Sequence, residues 1–192
     1  MEATKSRLIT LPHAHLRERS SKVGLITDEV TQLVEDMKAV TLDWEDSREH
    51  EVGVALAAVQ IDQLLRVVVI RNNFDDKTDR TFTAFINPTI TKYEGEIQED
   101  YEGCLSIKDI YGKVKRHTKV RVKATNLEGR EFRITAEGFL ARVFQHEIDH
   151  CSGKVFIDYI KGEPEKFFKL LPDGKLEQLD YEKDIRTNRL LW

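Results

Sequence analysis

The chain has 192 residues, with 30 Lys or Arg against 34 Asp or Glu for a formal net charge of −4, and 40% of its residues are hydrophobic. This composition excludes a disordered chain and a collagen-like chain, and it predicts one domain with a sizeable core. The acidic excess excludes an overall positive surface for binding nucleic acid, so DNA is not an expected partner. No apolar run is long enough to span a membrane. Two basic runs, Arg7–Arg19 and Lys113–Lys123, remain as local surfaces for RNA.

The cysteine usage and the amino terminus predict the compartment. Only Cys104 and Cys151 are present, and the first residues, MEATKSRLIT, have no apolar signal-peptide core. We therefore expect a reducing cytoplasm, where a thiol is more often a ligand or a nucleophile than half of a disulfide.

The first predicted element is a helix, which Thr27 or Asp28 caps and which the polar stretch Asp43–Glu51 ends. Its apolar positions recur at helical spacing: Val30, Leu33, Val34, Met37 and Val40. Strands are predicted after it. The candidates are Arg66–Arg71, Thr81–Ile86, which Asn87-Pro88 ends, and the weaker runs Ile90–Tyr93 and Glu96–Asp100.

A β-hairpin is the clearest prediction in the second half of the chain. Apolar and polar residues alternate through Val120–Thr125, a turn follows at Asn126–Gly129, and the alternation resumes at Phe132 and Ile134. The spacing then changes to that of a helix with Thr135 as its predicted N-cap. One stripe of this helix carries Phe139, Val143, His146 and His150.

A short C-terminal helix is expected from Pro164 to Leu171. We therefore predict an α+β fold, in which mostly antiparallel strands pack around a central helix carrying HEIDH, with an N-terminal and a C-terminal helix. A single domain is expected over residues 1–192, with 160–192 as a C-terminal extension.

The segment His146-Glu147-Ile148-Asp149-His150 is typical of a metal site. Two histidines at i and i+4 of a helix direct their rings to one point, as two ligands of a tetrahedral metal must, and Glu147 can reach a water there without being a ligand. Phe156 stands where a metzincin protease would have its third histidine, which excludes that class. The third ligand is either a thiolate or one of the downstream glutamates Glu163, Glu165 and Glu177.

Cys104, within Glu102-Gly103-Cys104-Leu105-Ser106, is the candidate thiolate. A soft ligand joining two imidazoles leaves a fourth position open, and an open position distinguishes a hydrolytic site from a structural one. Cys151 competes with it, but a residue next to the second histidine points about a quarter-turn away, so we assign Cys151 to the core. Arg116 is expected to pair with Glu102 and to orient the cysteine segment.

A third segment is rich in small residues and ends in the side-chain amide of Gln60: Gly53-Val54-Ala55-Leu56-Ala57-Ala58-Val59-Gln60. GVALAAVQ, EGCLS and HEIDH, in this order, resemble the three signature motifs of the peptide deformylases, metallohydrolases that remove the N-formyl group from nascent polypeptides. The resemblance extends to the surroundings of the motifs and covers about residues 8–160.

The resemblance implies that Cys104, His146 and His150 hold one divalent metal ion per chain. Fe²⁺ is characteristic of the family, and Zn²⁺, Ni²⁺ or Co²⁺ can occupy such a site. It also implies that Glu147 accepts a proton from the attacking water and delivers it to the leaving amine, which releases formate.

The resemblance further implies how the substrate is held. The side-chain amide of Gln60 and the backbone N–H of Leu105 are the implied donors to the developing oxyanion. Gly103 and Ala55 are expected to present backbone groups to the substrate, which adds like an extra strand.

An apolar pocket for the methionine side chain is predicted beside the metal. Phe139 and Val143 share the helix face of His146. Two further residues are expected to line this pocket, Val54 and Leu105.

Two positions depart from the family pattern. Ala55 stands where the first motif ordinarily has its second glycine, and its methyl group would weaken binding if that position needs a positive φ or a close approach of the substrate backbone. Lys108 stands where many relatives have proline, outside the ligands. Neither change touches the expected ligands or Glu147, so we predict an active enzyme.

Two other functions stay open at the level of the sequence. A non-catalytic relative would keep the metal as a structural element or bind formylated peptides without hydrolysing them, and Ala55 motivates this alternative. An HExxH peptidase would use a downstream glutamate and would leave the other two motifs unexplained. For the deformylase, the expected partner is the formyl-methionyl nascent peptide, and the chain is expected to be a monomer. Two roles stay open for Gly162–Trp192, which either contacts the ribosome, as in some relatives, or covers the sheet.

Overall fold

The computed structural model describes residues 7–187, so residues 1–6 and 188–192 of the expected domain lie outside the described residues. Two helices, α1 (Asp28–Asp46) and α2 (Gly138–His150), pack against an antiparallel sheet. Residues 7–187 contain seven strands: β1 (Ala55–Ala57), β2 (Val67–Arg71), β3 (Phe82–Cys104), β4 (Ile107–Thr125), β5 (Glu131–Glu137), β6 (Phe167–Leu170) and β7 (Leu176–Gln178). Their order is β1-β2-β3-β4-β6-β7, and β5 also pairs with β4. The architecture is a mixed α/β fold with an antiparallel sheet and few helices.

The long hairpin of β3 and β4 is the largest departure from the predicted strands. Three of the predicted runs, from Thr81 to Asp100, are parts of the single strand β3. The predicted end at Asn87-Pro88 is wrong, because β3 continues past it through a register shift between Ile86 and Thr89. A proline cannot donate to the ladder, and a bulge accommodates it without ending the strand.

Helix α1 confirms the first predicted element. Thr27 is its N-cap and the helix ends at Asp46, within the polar stretch expected to end it. The five apolar residues predicted from spacing are all buried: Val30, Leu33, Val34, Met37 and Val40. They pack with residues of β1 and β2 into one hydrophobic cluster.

Strand β2 lies between the two helices. Val67 and Val69 belong to the cluster under α1, whereas Val68 and Ile70 belong to the cluster under α2. A strand that is covered on both faces has no solvent side, which explains why this run is apolar throughout.

Helix α2 begins later than the sequence predicts. Thr135 is not its N-cap, because it lies in β5, paired with Arg121 of β4. The pairing of β5 continues to Glu137, and Gly138, with φ +57°, turns the strand directly into the helix. The left-handed conformation of Gly138 costs a glycine little, so no connecting loop is needed.

The predicted C-terminal helix is wrong. Pro164–Lys166 form a single 3₁₀ turn, Phe167 begins β6, and the residues after β7 form a six-residue π-helical segment, Tyr181–Arg186. Strand β6 pairs with Ile110–Gly112 of β4, so strand pairing along this edge outweighs the helical spacing of the apolar residues. The C-terminal part of the chain therefore extends the sheet.

Candidate active site

The three predicted metal ligands come together from two elements. Cys104 ends β3, immediately before the Leu105-Ser106 turn of the long hairpin, while His146 and His150 lie in α2. Cys104 Sγ is 3.2 Å from His150 Nε2, and one ligand atom of each of the three residues lies within 4.8 Å of the other two. Within residues 7–187, no downstream glutamate belongs to this group.

The group fits a divalent metal ion. A thiolate sulfur and two imidazole nitrogens are ligands that divalent transition metals bind. His150 is fully buried, and its Nδ1 is a buried atom without a hydrogen-bond partner. Burial lowers the pKa of His150 well below its usual value, so its ring is neutral, as a ligand must be, at neutral pH.

Glu102 orients the first histidine, a role that the sequence analysis missed. Its Oε2 is 3.0 Å from His146 Nδ1. Burial raises the pKa of Glu102, but hydrogen bonds from His146 and Arg116 outweigh burial and hold that pKa well below its usual range. Because the ionised carboxylate only accepts, His146 donates from Nδ1 and turns Nε2 toward the other ligands. Glu102 lies two residues before Cys104 in β3, and this closeness to a candidate ligand is the signal that could have found it.

Two arginines, Arg116 and Arg142, donate hydrogen bonds to the Glu102 carboxylate. Arg116 donates from Nε and Nη2 to Glu102 at 2.8 and 3.0 Å, which confirms the expected pair, and from Nη1 to Asp149 of α2 at 2.6 Å. Arg142 donates from Nη1 to Glu102 and to the backbone oxygen of Val114, both at 2.8 Å. These bonds fasten α2 to the long hairpin at the level of the ligands.

Glu147 is buried, and one of its carboxylate oxygens, Oε2, has no hydrogen-bond partner. The residue lines the cleft beside Cys104. Burial raises the pKa of Glu147 to about 7, against the opposing effect of His146. A carboxyl group with this pKa can both accept and release a proton near neutral pH.

Gln60 directs its amide toward the cysteine. It lies in the 3₁₀ segment Ala58–Ile61 that follows β1, and its Oε1 accepts from the backbone N–H of Ala57 at 2.8 Å. Its Nε2 donates to Ser106 Oγ at 3.1 Å and lies 3.5 Å from Cys104 Sγ. Since the acceptor end is held by Ala57, the donor end is fixed toward the site.

A cleft of about 280 Å³ adjoins these residues. Four of the residues that line it were predicted to form the apolar pocket, namely Val54, Leu105, Phe139 and Val143. Phe139 is half exposed and makes an edge-to-face contact with Phe74, with ring centroids 5.3 Å apart, whereas Val143 is buried.

The two residues expected to present backbone groups, Ala55 and Gly103, also line the cleft. Ala55 lies in β1, paired with Ile70, and is not among the residues with positive φ. Its methyl group therefore imposes no left-handed strain on the backbone.

One wall of the cleft was not found from the sequence. The Tyr111 hydroxyl donates to Glu51 Oε1 at 2.8 Å, and Arg48 Nη1 donates to Glu51 Oε2 at the same distance. Trp44 and Tyr101 line the same cleft. No sequence motif links these residues, because they lie in separate parts of the chain that come together only in the folded protein.

Cys151 lies outside the site. It is fully buried in the cluster under α2, and burial raises its pKa to about 12. The assignment of Cys151 to the core is therefore confirmed.

Comparisons with known proteins agree on one family. The family model described as polypeptide deformylase matches residues 5–166. Peptide deformylase 2 of Clostridium acetobutylicum is 43% identical over 145 residues, covering 76% of this chain and 88% of that protein. A peptide deformylase of Acinetobacter baumannii is 38% identical over 153 residues, covering 80% of this chain and 81% of that protein.

Solved structures give the same result. The crystal structure of a peptide deformylase from Synechococcus elongatus in complex with actinonin has a TM-score of 0.73 at 32% identity, covering 81% of this chain and 80% of that chain. A peptide deformylase from Legionella pneumophila has a TM-score of 0.70 at 38% identity, covering 79% of this chain and 83% of that chain.

Proposed function

The chain belongs to the polypeptide deformylase family, and we propose that Cys104, His146 and His150 hold the metal on which this family depends. Peptide deformylases are hydrolases that remove the formyl group from nascent peptides, and that is the function of this chain. The assignment of the site rests on one observation: three ligand atoms converge within 4.8 Å beside the buried, partly unsatisfied carboxylate of Glu147.

We assign Fe²⁺ as the native ion. When bound, the ion supplies a Lewis acid that polarises the formyl carbonyl and acidifies water. One thiolate and two imidazoles can also bind Zn²⁺, Ni²⁺ and Co²⁺, so the ion that occupies the site depends on which metal is available to the protein.

Glu147 moves the proton in this proposal. Its Oε2 accepts a proton from the attacking water, whose oxygen bonds to the formyl carbon, and then delivers it to the amide nitrogen as the C–N bond breaks. Formate and a free amino terminus result. A pKa of about 7 supports both halves of this transfer.

Gln60 and Leu105 stabilise the oxyanion that develops on the formyl group. Support for Gln60 comes from its fixed amide, whose Nε2 lies 3.5 Å from Cys104 Sγ. The backbone N–H of Leu105 is the second donor, and it follows the cysteine directly in the hairpin turn.

The methionine side chain of the substrate occupies the apolar part of the cleft. Val54, Leu105, Phe139 and Val143 line this part, and the backbone of Ala55 and Gly103 faces the peptide. Because β1 is an edge strand of the sheet that residues 7–187 form, an extended peptide can add to its other edge.

Formate release from a formyl-methionyl tripeptide tests the proposal, with protein prepared anaerobically in Fe²⁺ or Ni²⁺. Glu147→Gln is expected to lower kcat by about 10²- to 10⁴-fold at unchanged metal content, since a proton acceptor is lost and no ligand. Glu165→Gln, a change at an exposed glutamate, is the matched control and is expected to keep full activity.

Cys104→Ala separates this assignment from an HExxH peptidase. Loss of the thiolate is expected to abolish metal loading and formate release together. Full metal loading of this variant, or loss of metal in Glu165→Gln, would overturn the ligand assignment.

The chain is proposed to act as a cytoplasmic monomer on peptides emerging from the ribosome. Formyl-methionyl substrates, which are made there, support this location. Light scattering is expected to give the mass of one chain, and co-sedimentation with translating ribosomes is expected to depend on the segment after Gly162. A dimer mass, or sedimentation that is unchanged on truncation, would contradict these two statements.

A further inference from the structure

We propose a second transition-metal site, formed by His13, His15 and Asp62 on the surface of the amino-terminal segment. One ligand atom of each residue lies within 4.8 Å of the other two. None of the three lines the catalytic cleft, and none belongs to the group of Cys104 and the α2 histidines. In the sequence, His13 and His15 lie in the basic run Arg7–Arg19, whereas Asp62 lies about 50 residues further along the chain.

The donor set selects the class of ion. Two imidazoles and one carboxylate suit Zn²⁺, Ni²⁺, Co²⁺ or Cu²⁺, whereas Mg²⁺ and Ca²⁺ prefer oxygen ligands throughout. His15 Nδ1 lies 2.6 Å from Asp62 Oδ1, a hydrogen-bond distance, so an ion bound by both atoms would replace the proton that they share. On the other side of the ring, Glu18 Oε1 lies 3.8 Å from His15 Nε2, which is beyond hydrogen-bond distance but adds a second negative charge near a bound cation.

The backbone brings the donors together before any ion binds. His13 is the N-cap of the 3₁₀ segment Ala14–Arg17, which contains His15 and is anchored by the fully buried Leu16. Asp62 is held with φ 65° at the end of the segment that carries Gln60, with its N–H bonded to Val59. Ordered backbone on both sides reduces the conformational entropy that metal binding would cost.

An ion at this site would fasten the amino-terminal segment to the loop of Gln60. The two parts already touch, since the backbone N–H of Ile9 donates to the carbonyl oxygen of Gln60 at 2.8 Å. A metal bridging His13, His15 and Asp62 would add a second connection two residues beyond Gln60. We therefore expect occupancy to raise the stability of this part of the molecule.

Equilibrium dialysis of tag-free protein against micromolar Zn²⁺, followed by metal analysis, counts the sites. The wild type is expected to hold two ions per chain, His15→Ala one, Cys104→Ser one, and the double variant none. His50→Ala removes an exposed histidine that lines the cleft but belongs to neither ligand group, and it is expected to keep two ions. Equal numbers of ions in the wild type and His15→Ala would overturn the proposal and leave His15 and Asp62 as a hydrogen-bonded pair only, whereas loss of one ion in Cys104→Ser reports on the catalytic group separately.

Thermal melting in the Cys104→Ser background gives a second readout. Zn²⁺ is expected to raise its Tm, and Asp62→Asn in the same background is expected to remove that increase. Asparagine tolerates the left-handed backbone of this position, so the second variant is expected to fold. Because both proteins lack the Cys104 thiolate, the result does not depend on the deformylase assignment, and equal increases in both would contradict the site.

Discussion

At the residue scale, Ala55 is where the sequence departs from the family pattern, and the structure removes one of the two reasons for concern, the need for a positive φ. Its backbone is extended, it pairs with Ile70, and its side chain is buried against the cleft. A glycine at this position is therefore not required by conformation.

Ala55→Gly is expected to lower the stability by about 0.5–1 kcal/mol, because glycine loses more backbone entropy in a strand. We expect kcat/KM for a formyl-methionyl peptide to change by less than about tenfold. Denaturant unfolding and steady-state kinetics measure the two effects. Activity that appears only in the glycine variant would show that the methyl group blocks the substrate and would favour the non-catalytic alternative.

At the element scale, the long β3–β4 hairpin carries both the cysteine and the charges that hold α2. The basic run Lys113–Lys123 lies in this hairpin, and acidic residues pair with much of it: Arg121 with Glu94 at 2.6 Å, Lys119 with Glu137 at 2.7 Å and Lys123 with Glu131 at 2.6 Å. This run is therefore a weaker RNA surface than its composition indicates.

Glu102→Gln tests the connection between the hairpin and α2. The change leaves Arg116 and Arg142 without their buried counter-charge and is expected to cost about 3–5 kcal/mol of stability. Metal affinity is expected to fall by about 10- to 100-fold, since His146 loses an ionised partner.

Unfolding curves and metal titration check both effects of Glu102→Gln. Glu99→Gln, in the same strand but partly exposed, is the control and is expected to change stability by less than about 1 kcal/mol. Metal affinity equal to that of the wild type would rule out an orienting role for Glu102.

Gly112 shows how closely β4 packs on the segment Phe156–Ile160. A Cβ at Gly112 would lie 2.4 Å from Ile160 Cδ1 and 2.9 Å from Phe156 Cε2. Gly112→Ala is therefore expected to cost about 1–3 kcal/mol through overpacking. Gly24→Ala, where a Cβ meets nothing within 4 Å, is expected to stay within about 0.5 kcal/mol in the same unfolding assay.

At the scale of the whole molecule, three hydrophobic clusters surround the sheet, and the ligand group lies where the hairpin end meets α2. Among the helices of residues 7–187, none is long and apolar enough to cross a membrane. A metal held by Cys104, His146 and His150 would join two elements that are distant in sequence.

Metal removal is expected to lower the Tm of the His15→Ala variant, which isolates the catalytic ion. An ion present at about 1,000 times its Kd contributes about 4 kcal/mol, so a chelator is expected to lower the Tm by on the order of 10 °C. Scanning calorimetry with and without chelator measures the shift. The same chelator is expected to leave His15→Ala/Cys104→Ser unchanged, and an equal shift there would contradict the assigned ligands.

The sequence by itself predicted the residues of the candidate site. HEIDH directs two imidazoles to one side because a helix places i and i+4 together, and EGCLS and GVALAAVQ predicted the thiolate and the amide that lie beside them. Helix α1 and the β4–β5 hairpin were also predictable, since their apolar periods and turn residues are local signals.

Only the tertiary structure decided the C-terminal strands, the length of β3 and the contacts between distant residues. Phe167–Leu170 form strand β6 and not the expected helix, because they pair with β4. Strand β3 continues past Pro88, because β4 pairs with it on both sides of that residue. Glu102, Tyr111 and the cluster of His13, His15 and Asp62 acquire their contacts from residues 14–60 positions away. Local patterns encode the spacing within one element, whereas these contacts depend on the packing of several elements, which no single segment specifies.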